Sequence, residues 1–340
     1  MPAMRHYCTL FDVNYLGRGL ALYFSLEQMA QPFQLHVFAF DDVTAAVLKR
    51  LRLPQMKVVS LQEFETPELL RIKPGRGKGE YCWTCTPAVI EHCLSNLDLP
   101  QCTYVDADLF FFSSPQPLFD EMGAASVMIT DHRYTPAYDQ TRASGRYCVQ
   151  FMPFNNDARG RAVLGWWRER CIEWCFARIE DGKFGDQKYL DDWPSRFPGV
   201  HDLEHLGGGV APWNVQQYQV KKDVAGLTLS KPGGSAVPLV FYHFHKLMLH
   251  QGGGVTLTSD YELSREVRAL VYRPYIVALQ QASQLVGQEF PGLDIHGRRP
   301  DPPPPDTPMR RFRRRFFGRG LYYPSTAFWM RGHSSDATTT

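Results

Sequence analysis

The sequence has no long apolar run near its start. After Arg5 and His6 only residues 7–11 are apolar before Asp12, far short of a secretory signal's apolar region or the roughly 20 residues that span a bilayer. This predicts a cytoplasmic protein. A disulfide framework is missing as well: the eight cysteines fall at irregular spacings, mostly inside apolar or helical stretches, which is the usage of a reducing compartment. Cys82, Cys85 and Cys93 have no second Cys or His pair at zinc-ribbon spacing, so they read as buried thiols on a helix. Gly17-Arg18-Gly19 lacks the third glycine and the distal acid of a dinucleotide fingerprint. An excess of either charge is missing too, since 37 Lys and Arg against 35 Asp and Glu leave a formal net charge of +2. Its distribution is uneven: seven arginines against one aspartate put +6 on residues 309–340 and leave −4 on residues 1–308. A mildly acidic body argues against a nucleic-acid groove as the main function, and no nucleic-acid partner is expected.

What the chain has is enough apolar side chain, 44% of 340 residues against 21% charged, for one large or two modest cores. Residues 7–11, 35–40 and 57–61 read as strands. Residues 16–29, and a stretch capped by Asp42 and running to about Leu51, read as helices. This βαβαβ alternation predicts an α/β chain with a largely parallel sheet. Residues 73–79 form a flexible basic loop before a helix over 81–94. A short helix over 115–122, a strand over 125–130 ending at Asp131 and an apolar segment over 147–154 follow. Residues 158–179 read as a long amphipathic helix that puts Trp166, Trp167 and Trp174 in a core.

The stretch that organises the chain is 102–112, where a β-branched and apolar run ends in Asp106 and Asp108 and an aromatic run follows. Open α/β sheets bind their ligands where strands end. Two carboxylates this close repel each other unless a cation lies between them, and hard oxygen donors suit Mg²⁺ or Mn²⁺. Near residue 185 a glycine turn delivers Asp186 and Gln187 to the start of a helix ending near Trp193, and Asp186 is either a cap or a site residue. Gly207-Gly208-Gly209 is a loop in which backbone can approach a ligand closely, or simply a long turn. Residues 239–245 read as a strand with His243 and His245 on one face, where an imidazole can join the carboxylates around Mn²⁺.

Phe11-Asp12-Val13-Asn14-Tyr15, Tyr104-Val105-Asp106-Ala107-Asp108, Asp131, Gly185-Asp186-Gln187 and His243-Phe244 stand in an order and approximate spacing that resembles glycosyltransferase family 8 over roughly residues 7–250. The resemblance implies a GT-A fold, a UDP-sugar donor with Mn²⁺ or Mg²⁺, a saccharide acceptor and retention of anomeric configuration. It implies that Asp12 and Asn14 contact uridine and the donor. Asp106 and Asp108 hold the metal with His243 or His245, and Asp106 also lies near the ribose. Lys246 belongs to the donor site. Asp131 and Asp186 bond sugar hydroxyls, and Gln187 lies beneath the anomeric carbon. The sequence departs from the family at three points: no arginine in the helix over 81–94, Gln150 for an asparagine, and Lys246 for a glycine.

Residues 1–290 are therefore expected to form the GT-A domain, with a nucleotide-binding half over 1–125 and an acceptor and metal half over 126–290. A proline-rich linker spans 291–308 and a basic aromatic tail 309–340. Arginines interleaved with phenylalanines in that tail suit an anionic membrane surface, at about 1 kcal/mol per basic residue, which predicts peripheral attachment. Similar tails attach the family's bacterial members to membranes. Two alternatives stand beside this. One is a haloacid-dehalogenase-like phosphatase with Asp106 as nucleophile, Asp108 as general acid and Asp186 and Asp191 near Mg²⁺. The other is a non-enzymatic membrane or nucleic-acid adaptor.

Overall fold

Alternation along the first strand already separates two cores. In β1 (Arg5–Phe11) Tyr7 and Phe11 face one side, Cys8 and Leu10 the other, and in β2 (Phe33–Ala39) Leu35 and Val37 oppose Phe38 in the same way. Strands apolar on both faces need helices on both faces, which parallel crossovers supply. The computed structural model describes residues 4–302, apart from 30, 225 and 259, together with 322–323 and 325–326.

α1 (Leu16–Gln28) follows β1, and α2 (Asp42–Leu51) leads from β2 to β3 (Met56–Ser60). α3 (Lys78–Ser95) leads into β4 (Gln101–Val105). β5 (Leu109–Phe111), β6 (Val127–Asp131), β7 (Phe151–Asn155) and α4 (Ala158–Glu173) come next, then β8 (Phe241–His243) and α5 (Arg273–Glu289). The main sheet runs β3-β2-β1-β4-β7-β6, with the short strands Tyr147–Cys148 and Val200–Asp202 both on β6. β3, β2, β1 and β4 are parallel and β7 is antiparallel to β4. β5 turns out of this sheet to pair with β8. α1 and α5 bury the first core, α3 and α4 the second.

Several boundaries differ from the expectations, each for a local reason. The cap of α2 is Asp41, whose carboxylate accepts the Thr44 N–H at 2.6 Å and the Val13 N–H at 2.9 Å, so Asp42 is already helical. α3 begins inside the expected basic loop because Glu80 reaches back to the Gly77 N–H at 2.7 Å. α4 stops at Glu173, not near residue 179. Trp174 turns extended, keeps its ring buried against Phe176 and donates Nε1 to Glu180 at 3.0 Å. The strand expected over 239–245 ends at His243, so His245 lies beyond it.

Residues 291–302 pack onto the domain, with Ile295 and His296 buried beneath α1 and the Gly17 N–H donating to the Ile295 carbonyl at 2.8 Å. Tyr322–Tyr323 pairs with Val255–Thr256, and the arginine-rich stretch 310–319 of the expected tail lies outside the described residues. Among the described residues no helix is long and apolar enough to cross a membrane.

Gly165 sits inside α4 with nothing within 4 Å of where a Cβ would stand. Gly165→Ala is expected to raise stability by about 0.5–1 kcal/mol through helix propensity and a less flexible unfolded chain. A urea midpoint shifted upward with an unchanged m-value is the result that checks it.

Candidate active site at the end of the central strand

β4 sits between β1 and β7 and ends at Val105, so Asp106 and Asp108 fall in the tight turn from β4 into β5. The Leu109 N–H donates to the Asp106 carbonyl at 3.1 Å to close that turn, and the Asp106 N–H donates to the Gln150 carbonyl at 3.0 Å to fix it to the neighbouring strand. β8 runs antiparallel to β5 with His243 opposite Leu109. The Phe244 N–H donates to the Asp108 carbonyl at 3.0 Å and the His243 N–H to the Val210 carbonyl at 2.9 Å. This backbone lattice brings His243 Nε2 to 3.2 Å from Asp108 Oδ1 and 3.8 Å from Asp106 Oδ2. The ligand atoms of the three residues all lie within 4.8 Å of one another.

The electrostatics of this group are unbalanced by the protein alone. Burial pushes the Asp106 carboxyl up to about 7, with the Asp108 charge adding to the rise and His243 opposing it. Burial also raises Asp108, but the charge and hydrogen bond of His243 outweigh it and hold that carboxyl at about 2. Asp186 is buried as well and is pushed up to about 7, first by desolvation and then by the Asp106 charge. Three carboxylates thus share one weakly solvated space in which His243 touches the acids directly, while His245 and Arg18 act on Asp108 through charge.

Gln150 decides how that imidazole is presented. Its Oε1 lies 3.1 Å from His243 Nδ1, and an amide oxygen only accepts, so Nδ1 carries the proton and Nε2 faces the two carboxylates. Without a cation Nε2 also carries a proton and donates it to Asp108 at 3.2 Å. Once that proton leaves, the Nε2 lone pair and the two carboxylates form a ligand set for a divalent cation, with the histidine orientation held by an outer partner. Two hard carboxylates and one imidazole fit Mn²⁺ or Mg²⁺, with Asp106, Asp108 and His243 as the residues that would hold it. Tyr104 donates its hydroxyl to Asp106 Oδ1 at 2.9 Å and steadies the other side.

The remaining expected site residues fall into two sets. Asp12 caps the turn after β1, accepting the Asn14 backbone N–H at 2.9 Å and the Asn14 amide at 3.1 Å, and pairs with Lys78 at the start of α3. Burial raises the Cys82 thiol to about 12, and the charge of Asp12, opposed by Lys78, and then that of Asp186 add to this. Asp186 is not a helix cap: Gln187 holds that position, and the Asp186 carbonyl takes the Trp167 indole N–H at 2.9 Å. Gln187 donates its amide to the Ser144 carbonyl at 2.7 Å.

The others have partners outside the ligand group. Asp131 accepts the Arg133 N–H at 2.7 Å and pairs with Arg146 at 2.7 Å, and Arg146 also pairs with Asp202 at 3.0 Å. His245 packs against Trp213, and burial, then the neighbouring His243, push it down to about 4. Its backbone lies past the strand, and the ligand group includes His243 alone of the two. Lys246 takes a left-handed backbone, φ 60°, and its ammonium lies 3.5 Å from Asp260. Asp191, which the phosphatase alternative needs near Mg²⁺, accepts the Arg146 N–H at 2.7 Å and pairs with Lys188.

Sequence reasoning passed over Tyr104 and Lys78 as site residues and took Gln150 only as a departure from a pattern. Tyr104 had a signal, since two residues before Asp106 on a strand is the same face. Lys78 and Gln150 had none beyond lying near charged or apolar stretches, because their partners are distant in the chain.

No protein-family model matches the sequence. The chain is 31% identical over 294 residues to the uncharacterized protein YfnD of Bacillus subtilis (strain 168), an alignment covering 84% of this chain and 92% of YfnD. It is 36% identical over 246 residues to the uncharacterized protein YfnF of the same organism, covering 70% of this chain and 80% of YfnF. The chain belongs to the family of YfnD and YfnF. For this YfnD and YfnF relative, a similar solved structure is the galactosyltransferase LgtC in complex with donor and acceptor sugar analogs. The TM-score is 0.50 at 15% identity, over 83% of this chain and 95% of LgtC. The fold is GT-A, as the order of β3-β2-β1-β4 and the turn after β4 also have it.

Proposed function

We propose that this YfnD-family chain is a metal-dependent glycosyltransferase that moves a hexose from a UDP-sugar to a saccharide acceptor, with retention, in cell-surface polysaccharide or lipopolysaccharide synthesis. The observation that carries this is the group Asp106, Asp108 and His243 at the end of the central strand of a GT-A fold. Residues 1–125 form the nucleotide-binding half and 126–290 the acceptor half. The arginine-rich tail beyond residue 308 docks a cytoplasmic protein on an anionic membrane surface.

In this account Asp12 and Asn14 orient the uridine, Asp106 also meets the ribose, and Lys246 belongs to the donor site. Mn²⁺ or Mg²⁺ supplies charge stabilisation for the departing diphosphate when bound. Gln150 keeps His243 Nε2 directed at the donor site, and Tyr104 keeps Asp106 in place. Asp186 and Asp131 receive sugar hydroxyls. The Ser144 carbonyl holds the Gln187 amide nitrogen, which leaves Gln187 Oε1, a neutral oxygen with partial negative charge, to face an oxocarbenium-like centre. A neutral amide suits that task better than a strong base does, because acceptor and leaving group share one face of the sugar in a retaining transfer.

Slow hydrolysis of the donor tests the proposal without knowledge of the acceptor. Incubated with a panel of UDP-, GDP-, ADP- and CMP-sugars, the protein is expected to release UDP from at least one UDP-hexose in the presence of Mn²⁺ or Mg²⁺. The sugar first released keeps its anomeric configuration by NMR. Release that is indifferent to metal, or release of inorganic phosphate from simple phosphomonoesters instead, goes against it and favours the phosphatase alternative.

A further inference from the structure

Away from the turn after β4, the second core holds three thiols that nothing above uses. Cys8 from β1, Cys93 from α3 and Cys102 from β4 are all 0% exposed, and their sulfurs lie within 4.8 Å of one another. Adjacent parallel strands put Cys8 and Cys102 on the same face of the sheet, and α3 lays Cys93 over them. Cys82 and Cys85 sit on the same helix, but Cys85 is eight residues from Cys93, about 12 Å along the axis, and neither joins the cluster. Among the described residues no fourth thiol, imidazole or carboxylate completes the group.

The neighbouring strand brings a buried histidine beside β1. His36 lies opposite Cys8 in the β1–β2 register, is 1% exposed, and its Nδ1 has no hydrogen-bond partner. Its Nε2 lies 3.5 Å from His6 Nδ1.

We propose that Cys8, Cys93 and Cys102 form a three-coordinate, all-sulfur site for a soft monovalent ion, Cu⁺. Soft thiolates select Cu⁺ or Zn²⁺ over the hard cations that suit Asp106 and Asp108. Structural zinc takes four ligands in a tetrahedron, and this cluster supplies three. Each thiol that ligates the ion gives up its proton, so loading releases protons. Because the metal at the proposed donor site is hard and this one soft, the two are loaded independently and the inference does not rest on the proposed activity.

The test is copper content and copper coordination in the full chain. The protein is produced with added copper, purified anaerobically under reducing conditions and reloaded with Cu⁺ against a chromophoric Cu⁺ chelator. The expected result is one Cu⁺ per chain, retained in Asp108→Asn and in Cys85→Ser and lost in Cys93→Ser. X-ray absorption of the loaded wild-type protein is expected to show three sulfur neighbours, and this readout stands even where Cys93→Ser fails to fold. No stoichiometric copper, copper held by fewer than three sulfurs, copper retained in a folded Cys93→Ser, or Zn²⁺ taken up in its place with a fourth light-atom ligand would each overturn the assignment.

Discussion

Asp108→Asn is expected to lower metal-dependent turnover of the nucleotide-sugar by at least about 10²–10³-fold, the usual loss when one group that stabilises transition-state charge is removed. The substitution is close to isosteric, so it changes charge and little else. Asp108 is the carboxylate nearest His243 Nε2, at 3.2 Å, and the one held at about 2, so it is the permanent anion of the group. An amide there offers a neutral oxygen and a donor nitrogen in place of an anion that only accepts. On the proposed function, metal affinity would fall first, and the donor binding that depends on the metal would fall with it. The metal-free fold loses the charge-assisted bond with His243 and also the repulsion with Asp106, so some destabilisation is expected, and the midpoint reads it. The measurement is turnover against metal concentration, beside the urea midpoint of the metal-free protein. A variant with near wild-type turnover and the same metal dependence would remove Asp108 from the site, and one that is inactive because it is unfolded would be recognised by its midpoint.

Gly207→Ala is expected to destabilise the fold strongly, although it lies in a loop. A Cβ at this position would stand 1.9 Å from the Pro238 carbonyl oxygen and 2.9 Å from the His205 ring. The backbone cannot retreat cheaply, because the Gly207 carbonyl accepts the N–H groups of Val240 at 2.9 Å and Phe241 at 3.3 Å. These bonds tie the glycine loop to the chain entering β8, the strand that carries His243. Overpacking costs about 1–3 kcal/mol, and each backbone hydrogen bond surrendered to relieve it costs about 1 kcal/mol more. The expected loss is therefore roughly 2–4 kcal/mol by urea unfolding, accompanied by weaker metal-dependent donor binding as His243 shifts. A loss below about 0.5 kcal/mol would show that the loop yields freely. The contrast with Gly165→Ala, which meets empty space, separates steric need from a general dislike of substituted glycine.

The same loop shows where sequence reasoning reached its limit. Three consecutive glycines announce close approach of backbone, yet what approaches Gly207 is the chain's own Pro238, 31 residues on in sequence. Periodicity reports local structure, and the partner across a sheet is set by topology. Asp106 and Asp108 were legible because a run of buried β-branched residues can end in two acids only where a strand leaves the sheet. His243 was legible as a member of a pair, but the choice between it and His245 required the hydrogen bond from Phe244 to Asp108 that ends β8 and turns the chain. Trp174 misled in the other direction, since an apolar residue at helical spacing stays buried here in an extended segment. Cys93 was read with its sequence neighbours Cys82 and Cys85, whereas the fold pairs it with residues on two other elements. The resemblance to a glycosyltransferase family carried the architecture, and the distances from His243 to the two carboxylates came from the pairing of β5 with β8, more than a hundred positions apart.

The central claim, that the group at the end of β4 joins a divalent cation to a nucleoside diphosphate, is tested most directly by thermal unfolding of the wild-type chain with UDP, with and without Mn²⁺. A ligand at about a hundred times its dissociation constant adds ~2.7 kcal/mol to stability, a shift well within reach of a melting curve. The account predicts that UDP stabilises the protein only when Mn²⁺ or Mg²⁺ is present, that GDP, ADP and CMP do so less, and that Asp108→Asn abolishes the metal dependence. Stabilisation by UDP that is the same without metal, or stabilisation by Mg²⁺ with a phosphate mimic and by no nucleotide, would contradict it.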